Sequence, residues 1–156
     1  MGVTLRVRKY MIAPVFVDTN VLLYAVDEAD LKKHEEAKLW RAELWKSRQG
    51  RISFQVLQEF YWVGTRKWPA LRGRIQAEIH DLLEWRPVVI DPVVLARSWK
   101  IQERYRISFW DALIVAAAKA APCRYLLTED LQAGQEYDGV TVVNPFRREP
   151  GEILGA

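Results

Sequence analysis

The chain has 156 residues, half of them hydrophobic and 28% charged, which suffices for one sizeable core and not for two domains. No apolar run has the length of a membrane span, no signal-peptide pattern opens the chain, and the single Cys123 cannot form an intramolecular disulfide, so a reducing cytoplasmic setting is expected. The formal charge of +3 misleads: Arg6, Arg8 and Lys9 account for it, and removing these three from 23 basic residues leaves 20 against 20 acids, so any basic surface must be local.

Residues 1–10 read as an N-terminal extension, possible to dispense with, because Met11-Ile12-Ala13-Pro14 makes a natural start. The alternating Val3, Leu5 and Val7 would otherwise suit an edge strand. Val15-Phe16-Val17 is a strand, β-branched and aromatic behind Pro14. Val21 to Ala25 opens a buried helix, so Asp18 falls where strand hands over to helix. Lys32 to Ser47 is amphipathic, with Ala37, Trp40 and Leu44 on one face, and Gly50 ends it. Arg51 to Phe54 is a second strand. Gln55 to Lys67 is a helix carrying a Val56/Phe60/Val63 stripe, stopped by Trp68-Pro69. Arg72 to Trp85 gives another helix, Pro87 to Ile90 a third strand, and Asp91-Pro92 opens a helix to about Arg104. Phe109 to Ala121 is apolar almost all round and therefore buried. Arg124 to Thr128 and Val140 to Val143 are the fourth and fifth strands, and residues 147–156 form a loose tail. Strands alternating with helices mean one α/β domain with a parallel sheet covered on both faces. Seven tryptophans are many for this length: they fill a core or mark a partner surface.

Four acids occupy suggestive places: Asp18 after strand one, Glu59 in the helix after strand two, Asp111 in the buried helix and Asp130 after strand four. Each has a plain explanation. Asp18 can cap the next helix, Glu59 can be solvated, Ser108-Phe109-Trp110-Asp111 resembles a capping box, and Asp130 can cap a turn. Together they say more. In a doubly wound sheet, strands one and four adjoin at the switch point, where ligands bind. Carboxylates gathered there would repel, and a hard divalent cation relieves that. Mg²⁺ or Mn²⁺ suits an oxygen-only site acting on phosphate, and the chemistry is metal-assisted phosphodiester hydrolysis.

Val15-Phe-Val-Asp18-Thr19-Asn20-Val-Leu-Leu-Tyr24, Gln55-Val-Leu-Gln-Glu59-Phe-Tyr61, Ser108-Phe-Trp-Asp111-Ala-Leu-Ile-Val-Ala-Ala117 and Leu126-Leu-Thr128-Glu-Asp130-Leu131 resemble the four signature segments of PIN-domain ribonucleases, most nearly the VapC-type toxins of toxin–antitoxin pairs. The resemblance runs in order over residues 11–146. It implies a three-layer α/β/α fold with a five-stranded parallel sheet in the order 3-2-1-4-5, and Mg²⁺- or Mn²⁺-dependent endoribonuclease activity. It also implies a homodimer and a small cognate antitoxin as partner. Carried over by position, Asp18, Glu59, Asp111 and Asp130 are the catalytic and metal-binding acids. Thr19, Asn20 and Thr128 match the polar positions that orient them.

His34 and His80 lack the spacing of a zinc site, and the chain has neither a Gly-rich phosphate loop nor a GxSxG elbow. Arg66, Lys67, Arg72 and Arg74 form the densest basic cluster, either a solvated helix junction or an RNA-backbone contact. The rivals are a non-catalytic RNA- or protein-binding module on the same fold, and an RNA-processing nuclease without an antitoxin. A phosphoacceptor receiver domain wants paired acids after strand one, and a DxD phosphatase wants Asp at position 20. The chain has one acid and Asn20 there.

Overall fold

Val15, Phe16 and Val17 are at most 1% exposed, and they form an inner strand of the sheet. The computed structural model describes residues 14–155, so both readings of residues 1–10 lie outside the described part. In chain order the elements are β1 (Val15–Val17), α1 (Thr19–Tyr24), α2 (Leu31–Ser47), β2 (Gly50–Arg51), α3 (Phe54–Lys67), α4 (Arg72–Leu82), α5 (Pro92–Tyr105) and α6 (Phe109–Ala120). They are followed by β3 (Tyr125–Leu127), β4 (Glu136–Tyr137), β5 (Val140–Val143) and α7 (Pro150–Leu154).

The sheet order is β2-β1-β3-β5-β4, with β1 parallel to β2 and β3, and β3 parallel to β5. From β1 the chain steps to β2 and later jumps back past β1 to β3. Right-handed crossovers therefore put α1 to α4 on one face and α5 with α6 on the other. This is the expected α/β/α architecture with the switch point at β1 and β3. Helix α6 is buried from Ala112 to Ala118, as its apolar surface requires. Trp40 anchors α2 with its indole N–H donating to the carbonyls of Pro145 at 3.0 Å and Arg148 at 3.2 Å.

The expected order 3-2-1-4-5 needs a correction at each edge. Residues 87–90 make one parallel bridge, Val88 beside Ser53, and no strand. The reason is local: Ser53 caps α3, accepting from the Val56 N–H at 3.3 Å, so β2 has no residues left for a longer ladder. The fifth strand is instead β4, antiparallel to β5. Asp138 and Gly139, at φ 52° and 90°, make the tight Asp-Gly turn that joins them. Helix α2 ends at Arg48 in the left-handed region, two residues before the glycine expected to stop it. The tail is not loose either: α7 follows a capping box at Glu149 and buries Leu154.

Candidate active site

Extension of the parallel ladder positions the first two site residues. The Asp18 N–H donates to the Leu127 carbonyl at 3.1 Å and the Thr128 N–H to that of Val143 at 3.1 Å, so both residues leave their strands at the same carboxyl edge. Asp18 then caps α1 with extended backbone, its Oδ1 accepting from the Thr19 N–H at 2.7 Å. Its Oδ2 accepts from Thr128 Oγ1 at 2.8 Å. Thr128 is fully buried and fully used. Its hydroxyl donates to Asp18 while accepting from Asn20 Nδ2 at 3.0 Å and from the Asp130 N–H at 3.1 Å.

Thr19 and Asn20 reach in opposite directions from the first turn of α1. Thr19 Oγ1 donates to Glu59 Oε2 at 2.7 Å, and Asn20 Nδ2 donates to Asp130 Oδ2 at 3.0 Å. Asn20 Oδ1 faces the Glu129 N–H at 3.5 Å. Glu59, on the flank of the α3 stripe, takes a second bond on Oε1 from Gln55 Nε2 at 3.0 Å. Three of the four acids thus belong to one hydrogen-bonded network built around residues 18–20. Asp111 joins it by charge: its own N–H is capped by Ser108 Oγ at 3.1 Å, and its carboxylate feels Asp130 and Glu59.

Burial, followed by the charges of Asp130 and Glu59, pushes the Asp18 carboxyl up to about 6, although bonds from Thr128 and Thr19 pull the other way. Burial also raises Asp111, with Asp130 and Glu59 adding to it. The donors are hard oxygens and their mutual repulsion is unrelieved, which is the chemistry Mg²⁺ or Mn²⁺ fits. Among the described residues, no three acids yet close round one point as an ion's ligands. The oxygens of Asp18, Glu59 and Asp130 are turned to the threonine, asparagine and glutamine donors just named.

The remaining expectations fall as follows. Arg66 stacks on Trp62 at 4.6 Å and Lys67 pairs with Asp27 at 3.0 Å, both at the end of α3, while Arg72 and Arg74 open α4. His34 is buried with Nδ1 against the Tyr24 carbonyl at 2.9 Å, a core role. Trp40 and Trp85 are core residues, whereas Trp62, Trp99 and Trp110 are more than half exposed.

Two site neighbours escaped the sequence reading. Gln55 stands four residues before Glu59, a spacing at which helix side chains meet, and that was a readable signal. Lys33 left no signal. Its Nζ bonds Glu129 at 2.9 Å, faces the Tyr24 hydroxyl at 3.4 Å and lies over the Tyr24 and Phe146 rings.

A family model described as PIN domain matches residues 15–135. Among solved structures, one named "Toxin-antitoxin complex from Klebsiella pneumoniae" is similar at 24% identity with a TM-score of 0.61, covering 85% of this chain and 98% of that one. That likeness concerns the fold. No curated protein matches the chain.

Proposed function

The chain belongs to the PIN-domain family, and from that premise we propose that it is a metal-dependent endoribonuclease, the toxin of a toxin–antitoxin pair. The observation that carries the reading is the network in which Thr19, Asn20 and Thr128 tie Asp18, Glu59 and Asp130 to one sheet edge, with Asp111 in electrostatic reach. A solvated or merely capping acid has no need of such an arrangement.

Asp18, Glu59, Asp111 and Asp130 would hold Mg²⁺ or Mn²⁺. When bound, the ion supplies a Lewis acid for the charge developing on the phosphoryl group and lowers the pKa of the attacking water. The chain's own residues do the rest. Asp18 has donors on both oxygens, so it is a fixed acceptor and not a proton shuttle. Thr19 and Asn20 hold Glu59 and Asp130 on either side of it, which fixes where a phosphate can approach. Asp130 is exposed and Asp111 half-buried, so the substrate enters past these two.

The toxin reading is supported by the similarity to a chain from a toxin–antitoxin complex, and the proposed partner is a small antitoxin protein. A homodimer is supported by the apolar side chains that α3 and α5 leave in solvent, among them Tyr61, Trp62, Val93 and Trp99. Arg66, Lys67, Arg72 and Arg74 are proposed as RNA contacts.

The test is cleavage of RNA with Mg²⁺ or Mn²⁺ by the wild type, Asp18→Asn and Asp111→Asn. We expect both variants to lose cleavage while circular dichroism shows the fold retained. Full activity in either would sink the metal-site assignment. Absence of cleavage by a folded wild type with either metal would favour the binding-module alternative.

A further inference from the structure

A second cleft opens directly off the acids. Its lining includes Asn20, Tyr24, Val63, Lys67, Trp68 and Glu129, and its volume is about 220 Å³. Asn20 belongs to both places, since its amide also binds Thr128 and Asp130. The cleft is below the roughly 300–1,000 Å³ of sites that take a whole drug-sized ligand. It suits one flat ring.

Its charges cancel in pairs. Lys67 bonds Asp27 at 3.0 Å and Lys33 bonds Glu129 at 2.9 Å, so the cleft presents no net charge to a ligand. What the cleft then offers is two aromatic residues, an aliphatic wall and hydrogen-bonding edges. Tyr24 is held in place, with Phe146 edge-on at 5.1 Å and Lys33 over its ring. Lys67 lies over the Trp68 ring at 5.0 Å.

Resting on the endoribonuclease reading, we propose that this cleft is the subsite for one unstacked nucleobase next to the scissile phosphate. RNA that threads past Asp130 continues on both sides of the attacked phosphorus, and one flanking base must lie near Asn20. A base can enter an aromatic slot only from a single strand, because in a duplex it is stacked and paired. The consequence is a sequence preference concentrated at one flanking position.

The probe is a single-stranded RNA hexamer carrying 2-aminopurine at one position in turn, mixed with the protein in EDTA so that binding is read without cleavage. Quenching is expected at one position only, with affinity falling about tenfold in Trp68→Leu, the scale of one lost stacked base. Val63→Phe keeps the test sound if Trp68→Leu unfolds. Val63 is 39% exposed, and a phenyl ring there fills the cleft and abolishes the quenching. In parallel, sequenced products from a randomised RNA should show a one-position preference that flattens in both variants. Cleavage by the wild type with a base profile unchanged in both folded variants would overturn the subsite and leave the nuclease reading standing. That result would make a protein side chain the better occupant. Wild type that neither binds nor cuts RNA would overturn the underlying function as well.

Discussion

Asp18 carries a burden that a titration can read. Its carboxyl ionises near 3.8 in the unfolded chain and near 6 when folded, because burial and its acidic neighbours disfavour the charge. Below the lower value both states are protonated and nothing is lost. Between the two values the native state binds the extra proton, so stability falls as pH rises, by up to about 3 kcal/mol for a shift of this size. Above pH 6 the penalty is constant. In metal-free protein, urea midpoints should therefore drop between pH 4 and pH 6.5, and Asp18→Asn should flatten that drop. A wild-type stability that climbs over this window would contradict the assignment. Asn at position 18 can still accept from the Thr19 N–H. The amide nitrogen that then replaces Oδ2 cannot accept from Thr128, and it cannot donate there either because both lone pairs of that hydroxyl are engaged, so the variant gives up one hydrogen bond in return.

At the scale of elements, Gly50 shows how a residue can be noticed for the wrong reason. As a helix stop it is unnecessary, because α2 already ends at Arg48. Its place in β2 is set by Trp85: a Cβ at Gly50 would lie 2.5 Å from the indole ring. An indole held at 4% exposure has nowhere to go. Gly50→Ala should cost about 1–3 kcal/mol by overpacking, read as a lowered Tm, and Gly50→Ala with Trp85→Leu should recover part of it. Helices were legible because periodicity and caps are local signals; α3, α5 and α6 begin within a residue of their expected starts. Strand pairing was less so. Pro87 to Ile90 has strand composition, yet pairing depends on a partner, and Ser53 had already committed the partner to a helix cap. The Asp138-Gly139 turn was local and readable, and it marks the hairpin that the expected order left out.

For the whole molecule, the four candidate acids could be singled out from sequence because Asp18 and Asp130 follow strands, Asp111 lies in the first turn of α6 and Glu59 flanks the apolar stripe of α3, on elements whose place around the sheet follows from topology. What sequence could not supply is the wiring between them. Thr19 to Glu59 and Asn20 to Asp130 depend on how α3 and β3 dock against α1. The same wiring leaves the site electrostatically strained without a cation, so Mn²⁺ or Mg²⁺ should stabilise the folded state by mass action, about 2.7 kcal/mol at a hundredfold excess over Kd. A rise in Tm with metal that disappears in Asp18→Asn combined with Asp130→Asn is the expected result. An equal rise in the double variant would place the ion elsewhere.

The Asn20 amide meets Asp130 across 110 positions of chain, and Thr128 meets Asp18 across the same span. Contacts of such separation form only after the intervening segment has collapsed around β1. A polypeptide made from its N-terminus holds three of its four acids well before the fourth is synthesised, but not their arrangement. If these acids form the active site, chemistry would wait for translation to pass residue 130 and for β3 to dock. On the proposed nuclease reading, a nascent chain that stops short of residue 130 would be inert.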